Sequence, residues 1–426
     1  LCRMKTVTGR SSGGRSSPQL VTENERPYPW RQIAGIAAGK TLMRGSFALV
    51  SICMNEILLD IYGGNLTAVA RYGSAISSVN TLVSFFMQPL SGALMDKYGR
   101  KPFLVCGGIL AGILRGQVGL NPSSLSYTLY RLFLPVFYAP FFPAFRATMS
   151  DLLDRRSDRY AQAMETIEWF GSVMHLLCLY LMRNTLTPSQ GAILAGALGI
   201  SGGLLINFTV EETLREEDRR EVEYESLGNP ISAISFFKKN EQMTKLGLLH
   251  VIVTVPYYNT TLGMYRRQRF GWTMSQMTSQ QMYSMLFSLG SPFLLLKILR
   301  TLGNKGTMIL EERISVIQNI FNICNSNESY SWVTTFLAAL QFGDTGFNRE
   351  LAIWSKGCRC GEGELEGAMA NINLPLQLLL PVFFTEMHIY FVEKFNIVYA
   401  PLVLTTVLHV TNGEFFIPCL WPENRN

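Results

Sequence analysis

Long apolar runs recur along the whole chain, and short polar or charged stretches separate them. A helix needs about 20 mostly apolar residues to cross the hydrocarbon core of a bilayer. Six such runs precede residue 210, at 40–62, 67–95, 102–120, 125–149, 160–183 and 190–209. Six more follow, at 243–264, 276–301, 306–324, 329–348, 366–392 and 395–417. The pattern predicts an all-α membrane protein with twelve transmembrane helices in two six-helix bundles, a 6+6 arrangement with pseudo-twofold symmetry.

Polar stretches divide the chain into five predicted regions. These are a polar N-terminal cytoplasmic segment at 1–39, a first bundle at 40–209, a charged cytoplasmic linker at 210–242, a second bundle at 243–417 and a short tail at 418–426. The ninth predicted span is the weakest, because Glu311, Glu312 and Arg313 interrupt it. We expect a short or distorted helix there.

Composition and charge placement agree with a chain solvated by lipid. Hydrophobic residues make up 48% of the chain and charged residues only 16%, against roughly 25% charged in soluble domains. If both termini and the linker face the cytoplasm, 27 Lys and Arg lie on that side and 7 on the other. Cytoplasmic loops of membrane proteins carry such an excess. The prediction is an integral, multi-pass membrane protein, with plasma and organelle membranes equally open.

Several function classes lack support in the sequence. The net charge is +6, but the basic residues lie in connections between spans, so no nucleic-acid partner is expected. The chain offers no clustered metal ligands, nucleophile elbow or phosphate loop. We therefore expect no enzymatic activity, no metal and no cofactor. The eight cysteines are scattered and indicate no disulfide framework.

A charged motif follows the second span directly, in the segment SGALMDKYGRKP. Its members are Gly92, Asp96, Lys97, Gly99, Arg100 and Lys101. A glycine in a span lets two helices approach closely, and an aspartate beside the membrane can pair with an arginine or a positive helix end. The spacing and position resemble the signature between helices two and three of the major facilitator superfamily. The alternative is that these residues only anchor the loop on the cytoplasmic side.

The resemblance implies that this motif latches the two halves together on the inner face and opens during transport. We expect its partner at the start of the eleventh span, at Gly363, Glu364 and Gly367. That segment resembles the Gly-Glu-Leu-x-Gly-Ala pattern of tetracycline-resistance-type facilitators. Span five lacks the Gly-Pro pair that antiporters of the superfamily often carry, which argues against antiport.

Ionisable residues inside a span are costly and by default mark a functional pathway. Glu56 lies deep in span one and either carries a proton or pairs with a nearby arginine. Arg131 in span four either counters Glu56, binds an anionic substrate group bidentately, or sits at the headgroups. His175 suits proton handling because the unperturbed pKa of histidine lies near physiological pH. The alternative is a hydrogen-bonded packing role. The remaining candidates for coupling or substrate contact are Asn55, Asp60, Gln88, Glu168, Asn371 and Gln377.

These features favour secondary active or facilitative transport of a small solute by alternating access, with proton coupling as an open alternative. The expected partners are a small-molecule solute, the lipid bilayer and, under proton coupling, a proton; a monomer is expected. The competing hypothesis is a non-transporting receptor or scaffold, prompted by the irregular second half. The sequence does not indicate which solute is carried.

Overall fold

Every secondary-structure element in the described part of the chain is helical. The computed structural model describes residues 29–138, 140–153, 158–214, 216–219, 237–238, 240–259, 261–324, 328–340, 347, 350, 354 and 372–422. Helices suit a chain in lipid because they satisfy their backbone hydrogen bonds internally.

Seven α-helices are described in the first half of the chain. They are α1 (Trp30–Ile61), α2 (Leu66–Tyr98), α3 (Lys101–Leu120), α4 (Ser124–Tyr138), α5 (Phe141–Leu152), α6 (Asp158–Asn184) and α7 (Pro188–Thr209). The first helix thus begins ten residues before the predicted start of the first span. The fourth predicted span is broken into α4 and α5 next to Pro140, which cannot donate a backbone hydrogen bond.

Eight further α-helices are described in the second half. They are α8 (Glu241–Thr254), α9 (Leu262–Phe270), α10 (Met274–Ser288), α11 (Ser291–Cys324), α12 (Glu328–Ala339), α13 (Leu374–Phe395), α14 (Ala400–Thr411) and α15 (Ile417–Leu420). A short 3-10 helix at Val255–Tyr258 follows α8, and a π-helical turn at Asn412–Phe416 joins α14 to α15. The sequence around Glu312 is regular helix within α11, so the expected distortion of the ninth span is wrong.

Six helical stretches among the described residues are long and apolar enough to cross a membrane. They are Trp30–Ile61, Lys101–Leu120, Ser124–Leu152, Pro188–Thr209, Leu374–Phe395 and Ala400–Leu420. Helices α2, α6 and α11 are longer than 18 residues but are more polar. The structure therefore supports a multi-pass helical protein, whereas the twelve-span count remains a prediction.

Small residues bring α3 and α7 into backbone contact. A Cβ atom on Gly112 would lie 2.7 Å from the carbonyl oxygen of Gly196, and one on Gly196 would lie 2.8 Å from that of Gly112. The hydrophobic effect does not drive helix association in lipid, so the helices are held together by van der Waals packing at this close approach. This seam holds one side of the first half together.

The two halves share one unusual backbone feature. Gly99 links α2 to α3 with φ 91° and ψ 174°, and Gly303 bends α11 with φ 68° and ψ −178°. This conformation is essentially restricted to glycine. The segments YGRK and LGNK therefore share a glycine in the same backbone conformation.

Replacing Gly303 with alanine should destabilise the protein by about 1–3 kcal/mol, the usual cost of a residue in this conformation. No atom lies within 4 Å of the added Cβ, so the cost is conformational and not steric. A thermal unfolding scan of purified protein in detergent measures it.

Gly73→Ala is the matched control, because a Cβ there also meets nothing within 4 Å but the residue is helical. It should leave the unfolding midpoint unchanged or raise it slightly. Equal midpoints for the two variants would contradict the strain assigned to Gly303.

Candidate functional site

The turn after α2 is bound by a carboxylate that comes from the end of α7. The backbone N–H groups of Arg100 and Lys101 donate to the two carboxylate oxygens of Glu212, each at 3.0 Å. Leu214 donates its own N–H to the same carboxylate at 3.0 Å. A Cβ on Gly99 would collide with this carboxylate. The glycine is thus required both by its backbone angles and by the close approach of Glu212.

The charge of Glu212 is stabilised where it sits. Burial of the carboxylate raises its pKa, but the N–H groups of Arg100, Leu214 and Lys101 outweigh burial and bring the pKa below the ordinary value of 4.5. The N-terminal N–H groups of α3 also present the positive end of the helix dipole to it. Glu212 is therefore an anion at neutral pH that ties α7 to α3.

The side chain of Arg100 extends the same network to α5. It forms an ion pair with Asp151 and donates to the carbonyl of Ala147 at 2.9 Å. Thr213 donates its hydroxyl to Asp151 at 2.8 Å. The charged motif is thus integrated into the first half through three helices.

The predicted cross-half partner of this motif is outside the described residues. That applies to Gly363, Glu364 and Gly367, and also to the candidate Asn371. Gly92, Asp96 and the candidate Gln88 lie in α2, and nothing further is described of their side chains. Lys97 is exposed, with its ammonium over the ring of Tyr98. The inner latch therefore stays a prediction.

Ion pairs join the two halves at the end of the molecule opposite Gly99. Glu56 of α1 pairs with Arg267 of α9, and their side chains are only 13% and 15% exposed. Of the alternatives for Glu56, pairing with an arginine is observed, and the arginine is Arg267 instead of Arg131. It also accounts for Arg267, whose place after span seven breaks the positive-inside pattern.

A second cross-half pair lies between α2 and α13 at the same end. The Nε atom of Arg71 lies 3.1 Å from a carboxylate oxygen of Glu386. About two helical turns further along α2, Ser78 donates its hydroxyl to the carbonyl of Leu378 at 2.6 Å. We call the Glu56–Arg267 and Arg71–Glu386 contacts the outer ion pairs. Together with the Ser78 contact, they hold the two halves closed at this end.

The remaining candidates in the first half are distributed along α1, α4 and α6. Glu168 forms an ion pair with Lys40. The Nδ1 atom of His175 and the Nε atom of Arg131 are both buried and have no hydrogen-bond partner among the described residues. Asn55 donates to the carbonyl of Ser51 at 3.4 Å. Asp60 is exposed and lies in the last turn of α1.

Of the candidates predicted in the second half, Gln377 is the one that lies among the described residues. It is half-buried in the first turn of α13.

A buried acid–base pair in the second half was not predicted. The imidazole Nδ1 of His409 lies 2.8 Å from a carboxylate oxygen of Glu312, and both side chains are at most 6% exposed. The ring of Tyr257 packs edge-on against His409 at 5.3 Å. The pair lies where a π-helical turn begins, a feature often found at functional sites.

Several partners were thus missed in the sequence, and the signals differ. Glu212 lies in the predicted charged linker, and its role was not predicted. Glu386 was not among the candidates, and Glu312 was expected to interrupt span nine. Neither carries a local signal for its partner, because the partners lie 315 and 97 residues away.

The fold and the charged turn after α2 define a multi-pass helical membrane protein. The chain belongs to the major facilitator superfamily, whose family profile matches residues 36–316. The resemblance carried by the charged motif is therefore confirmed. Membership in this family also agrees with the expectation that the protein is not an enzyme, and it supports an integral membrane location.

Known proteins with related sequences or folds are transporters. The multi-drug resistance efflux pump PmrA of Streptococcus pneumoniae serotype 4 is 26% identical over 172 residues, which is 40% of this chain and 40% of that protein. The human organic anion transporter MFSD10 (TETRAN) superposes with a TM-score of 0.67 at 15% identity, over 92% of this chain and all of that one. The nucleoside transporter NupG gives 0.69 at 12% identity, over 93% and all of the respective chains. At such identities the structures establish the fold alone, and the match to PmrA spans about two fifths of its length.

Replacing Glu212 with glutamine should destabilise the protein by about 1 kcal/mol at neutral pH, because charge-assisted hydrogen bonds become neutral ones. The pKa of Glu212 is lowered in the folded protein, so its contribution is present above the ordinary carboxyl pKa and is lost as the pH falls through the lowered value. The difference in unfolding midpoint from the parent should therefore shrink in acid.

The neighbouring Glu211 is exposed, so Glu211→Gln is the matched control and should change little at any pH. A Glu212→Gln deficit that stays constant down to the acid limit of stability would contradict the assigned ionisation.

Proposed function

We propose that the protein transports a small solute across a membrane by alternating access. The observation that carries the proposal is the position of the outer ion pairs: within the described residues, they join the two halves at the end opposite the charged motif. Alternating access requires contacts of this kind, which close one end of a central path and can be broken without unfolding either half. Membership in the major facilitator superfamily supports the same function.

The twelve-span layout belongs to this proposal. Six apolar helical stretches meet the length requirement, and the more polar α2, α6 and α11 supply further helices between them. The recurrence of the Gly99 turn at Gly303 supports two structurally related halves. In this layout the polar helices face the path and the apolar ones face lipid.

In the closed-outside state, we infer that the outer ion pairs act as a gate. Glu56–Arg267 is the stronger of the two because it is nearly buried, where breaking a pair leaves an uncompensated charge. Arg71–Glu386 is about half exposed and contributes less. Opening the outer end exchanges both pairs for contacts with water.

At the opposite end, we propose that the motif from Gly92 to Lys101 acts as the inner latch. Its Arg100 and Glu212 contacts make it a rigid part of the first half. A rigid latch can transmit movement of α2 to the second half when a partner there engages or releases it. Gly363, Glu364 and Gly367 are the proposed partner.

Proton coupling is a further part of the proposal, and two sites could carry it. Glu56 combines a carboxylate with a gate, so protonation would release Arg267. The Glu312–His409 pair offers a second carboxylate inside the second half. The scaffold hypothesis was prompted by the apparent interruption of span nine. Those residues lie in a helix, and Glu312 has a buried partner in His409, so this support for a scaffold is removed.

Flux into proteoliposomes that contain the purified full chain tests transport directly. A panel of metabolites and drugs, assayed with and without an imposed pH gradient, should yield at least one solute whose uptake exceeds that of empty liposomes. If the gradient drives uptake, Glu56→Gln should remove that dependence when Glu56 carries the proton. No flux for any solute under either condition would contradict transport.

Exchanging the charges of Glu56 and Arg267 tests whether flux depends on the ion pair itself or on which residue carries which charge. Glu56→Gln or Arg267→Gln alone should lower flux several-fold, because each leaves one charge unpaired in the closed state. The double variant Glu56→Lys, Arg267→Glu should recover most of the flux by restoring an ion pair.

Arg313 and Glu414 form an ion pair within the second half whose side chains are 60% and 57% exposed. Exchanging these two residues is the matched control and should leave flux unchanged. A double variant at Glu56 and Arg267 that is no better than its single variants would contradict the gate.

A further inference from the structure

Three arginines lie inside the apolar helices of the first half. Arg44 is in α1, Arg115 in α3 and Arg131 in α4. Arg115 is 1% exposed and is among the largest fully buried side chains described. A guanidinium at this depth costs several kcal/mol unless something compensates its charge. We call these three residues the arginine cluster.

No carboxylate among the described residues compensates the cluster. The first-half carboxylates that could do so are engaged elsewhere: Glu56 with Arg267, Glu168 with Lys40, and Asp151 with Arg100. The Nε atoms of all three cluster residues are buried and have no hydrogen-bond partner. A donor that is both buried and unpaired is rare in proteins and indicates a missing acceptor.

One aromatic residue lies between the cluster members. The guanidinium carbon of Arg115 lies 5.0 Å from the ring centroid of Tyr138, and Arg44 interacts electrostatically with the same phenol. Arg131 precedes Tyr138 by seven residues on α4, so it lies on the same helix face about 10 Å away. Arg44 and Arg115 therefore meet at the phenol of Tyr138, and Arg131 lies further along the same face of α4.

Aromatic rings, an imidazole and an ion pair border the cluster. Arg44 also interacts electrostatically with His175, whose Nδ1 atom is buried and unpaired. The rings of Phe141 and Phe142 lie 6.0 and 5.2 Å from that of Tyr138. Beside them, Lys40 pairs with a Glu168 side chain that is 54% exposed, which gives the region an open edge.

We propose that the arginine cluster is an anion-binding site and that the solute is a small organic anion. Guanidinium groups match the geometry of carboxylate, sulfonate and phosphate oxygens and bind them bidentately. The adjoining rings of Tyr138 and Phe142 then accommodate an apolar or aromatic body. The substrate assignment rests on the proposed transport function, whereas the binding site does not.

A purely structural role for Arg115 is the competing explanation. Its Nη1 atom donates to the hydroxyl of Ser46 at 2.8 Å, and Tyr138 covers its guanidinium. No hydrogen bond from a described residue holds the guanidinium of Arg44 or Arg131, and both Nε atoms are buried without a partner. The test therefore changes these two residues and leaves Arg115 in place.

Binding to the full chain in detergent, measured by titrated thermal shift, tests the site with probes of one shape and different charge. Benzoate, benzenesulfonate and phenyl phosphate are the anions, benzamide is the neutral analogue and benzamidinium the cation. We expect at least one anion to stabilise the protein, benzamide to do so more weakly, and benzamidinium to have no effect. Arg44→Gln and Arg131→Gln should each weaken binding of that anion about 10-fold.

Arg313→Gln makes the same substitution at an exposed site in the second half and should leave anion affinity unchanged. Arg44→Lys keeps the charge but loses bidentate geometry, so it should retain part of the affinity and serves if Arg44→Gln does not fold. The site is wrong if no anion binds, if benzamidinium binds as well as the anions, or if the cluster variants keep full affinity.

The same probes separate this inference from the proposed function. Anion binding that depends on Arg44 and Arg131 but is accompanied by no flux of any solute would leave the site in place and overturn transport. Flux of neutral or cationic solutes without anion binding would leave transport in place and overturn the anion site.

Discussion

The cost of a charge in hydrocarbon governs how this protein is built. A charged side chain in a span needs a counter-charge, water or a ligand, and the described charges fall into these groups. Glu56 with Arg267 and Glu312 with His409 are paired in buried positions. Arg71 with Glu386 is paired but about half exposed. The arginine cluster and Arg266 retain buried donors that no described group satisfies.

The location of each paired charge decides what it can do. Pairs inside one half, such as Glu312–His409, keep their partners when the halves move and therefore stabilise that half. Pairs between halves, such as Glu56–Arg267, are made in one arrangement and lost in another, so they bias an equilibrium between arrangements. The carboxylate of Glu212 belongs to the first kind: it fixes the turn at Gly99 and makes the charged motif a rigid part of the first half.

Much of the helical organisation could be predicted from the sequence, because apolar runs report directly on exposure to lipid. The first, third and sixth spans match α1, α3 and α7 closely apart from the early start of α1. The functional turn was also readable, since Gly99 is needed for its backbone angles. Breaks near Pro140 and Pro256 were not predicted, because proline within a membrane helix is often accommodated without a break.

Partners across long sequence separations could not be predicted. Glu56 and Arg267 are 211 residues apart, and a single sequence carries no information on which helix of one half meets which helix of the other. The same limit made Glu312 look like an interruption of span nine and left several alternatives open for Arg131. Residue type indicated that these positions matter, whereas only three-dimensional packing assigned their contacts.

The most direct test of alternating access is a pair of distance measurements by electron–electron double resonance. Spin labels on the exposed Asp60 and Glu393 report on the end closed by the outer ion pairs, and labels on Tyr98 and Leu302 report on the opposite end. Across a change of pH and solute, the account predicts that one distance lengthens as the other shortens. Two distances that stay constant, or that lengthen together, would contradict it.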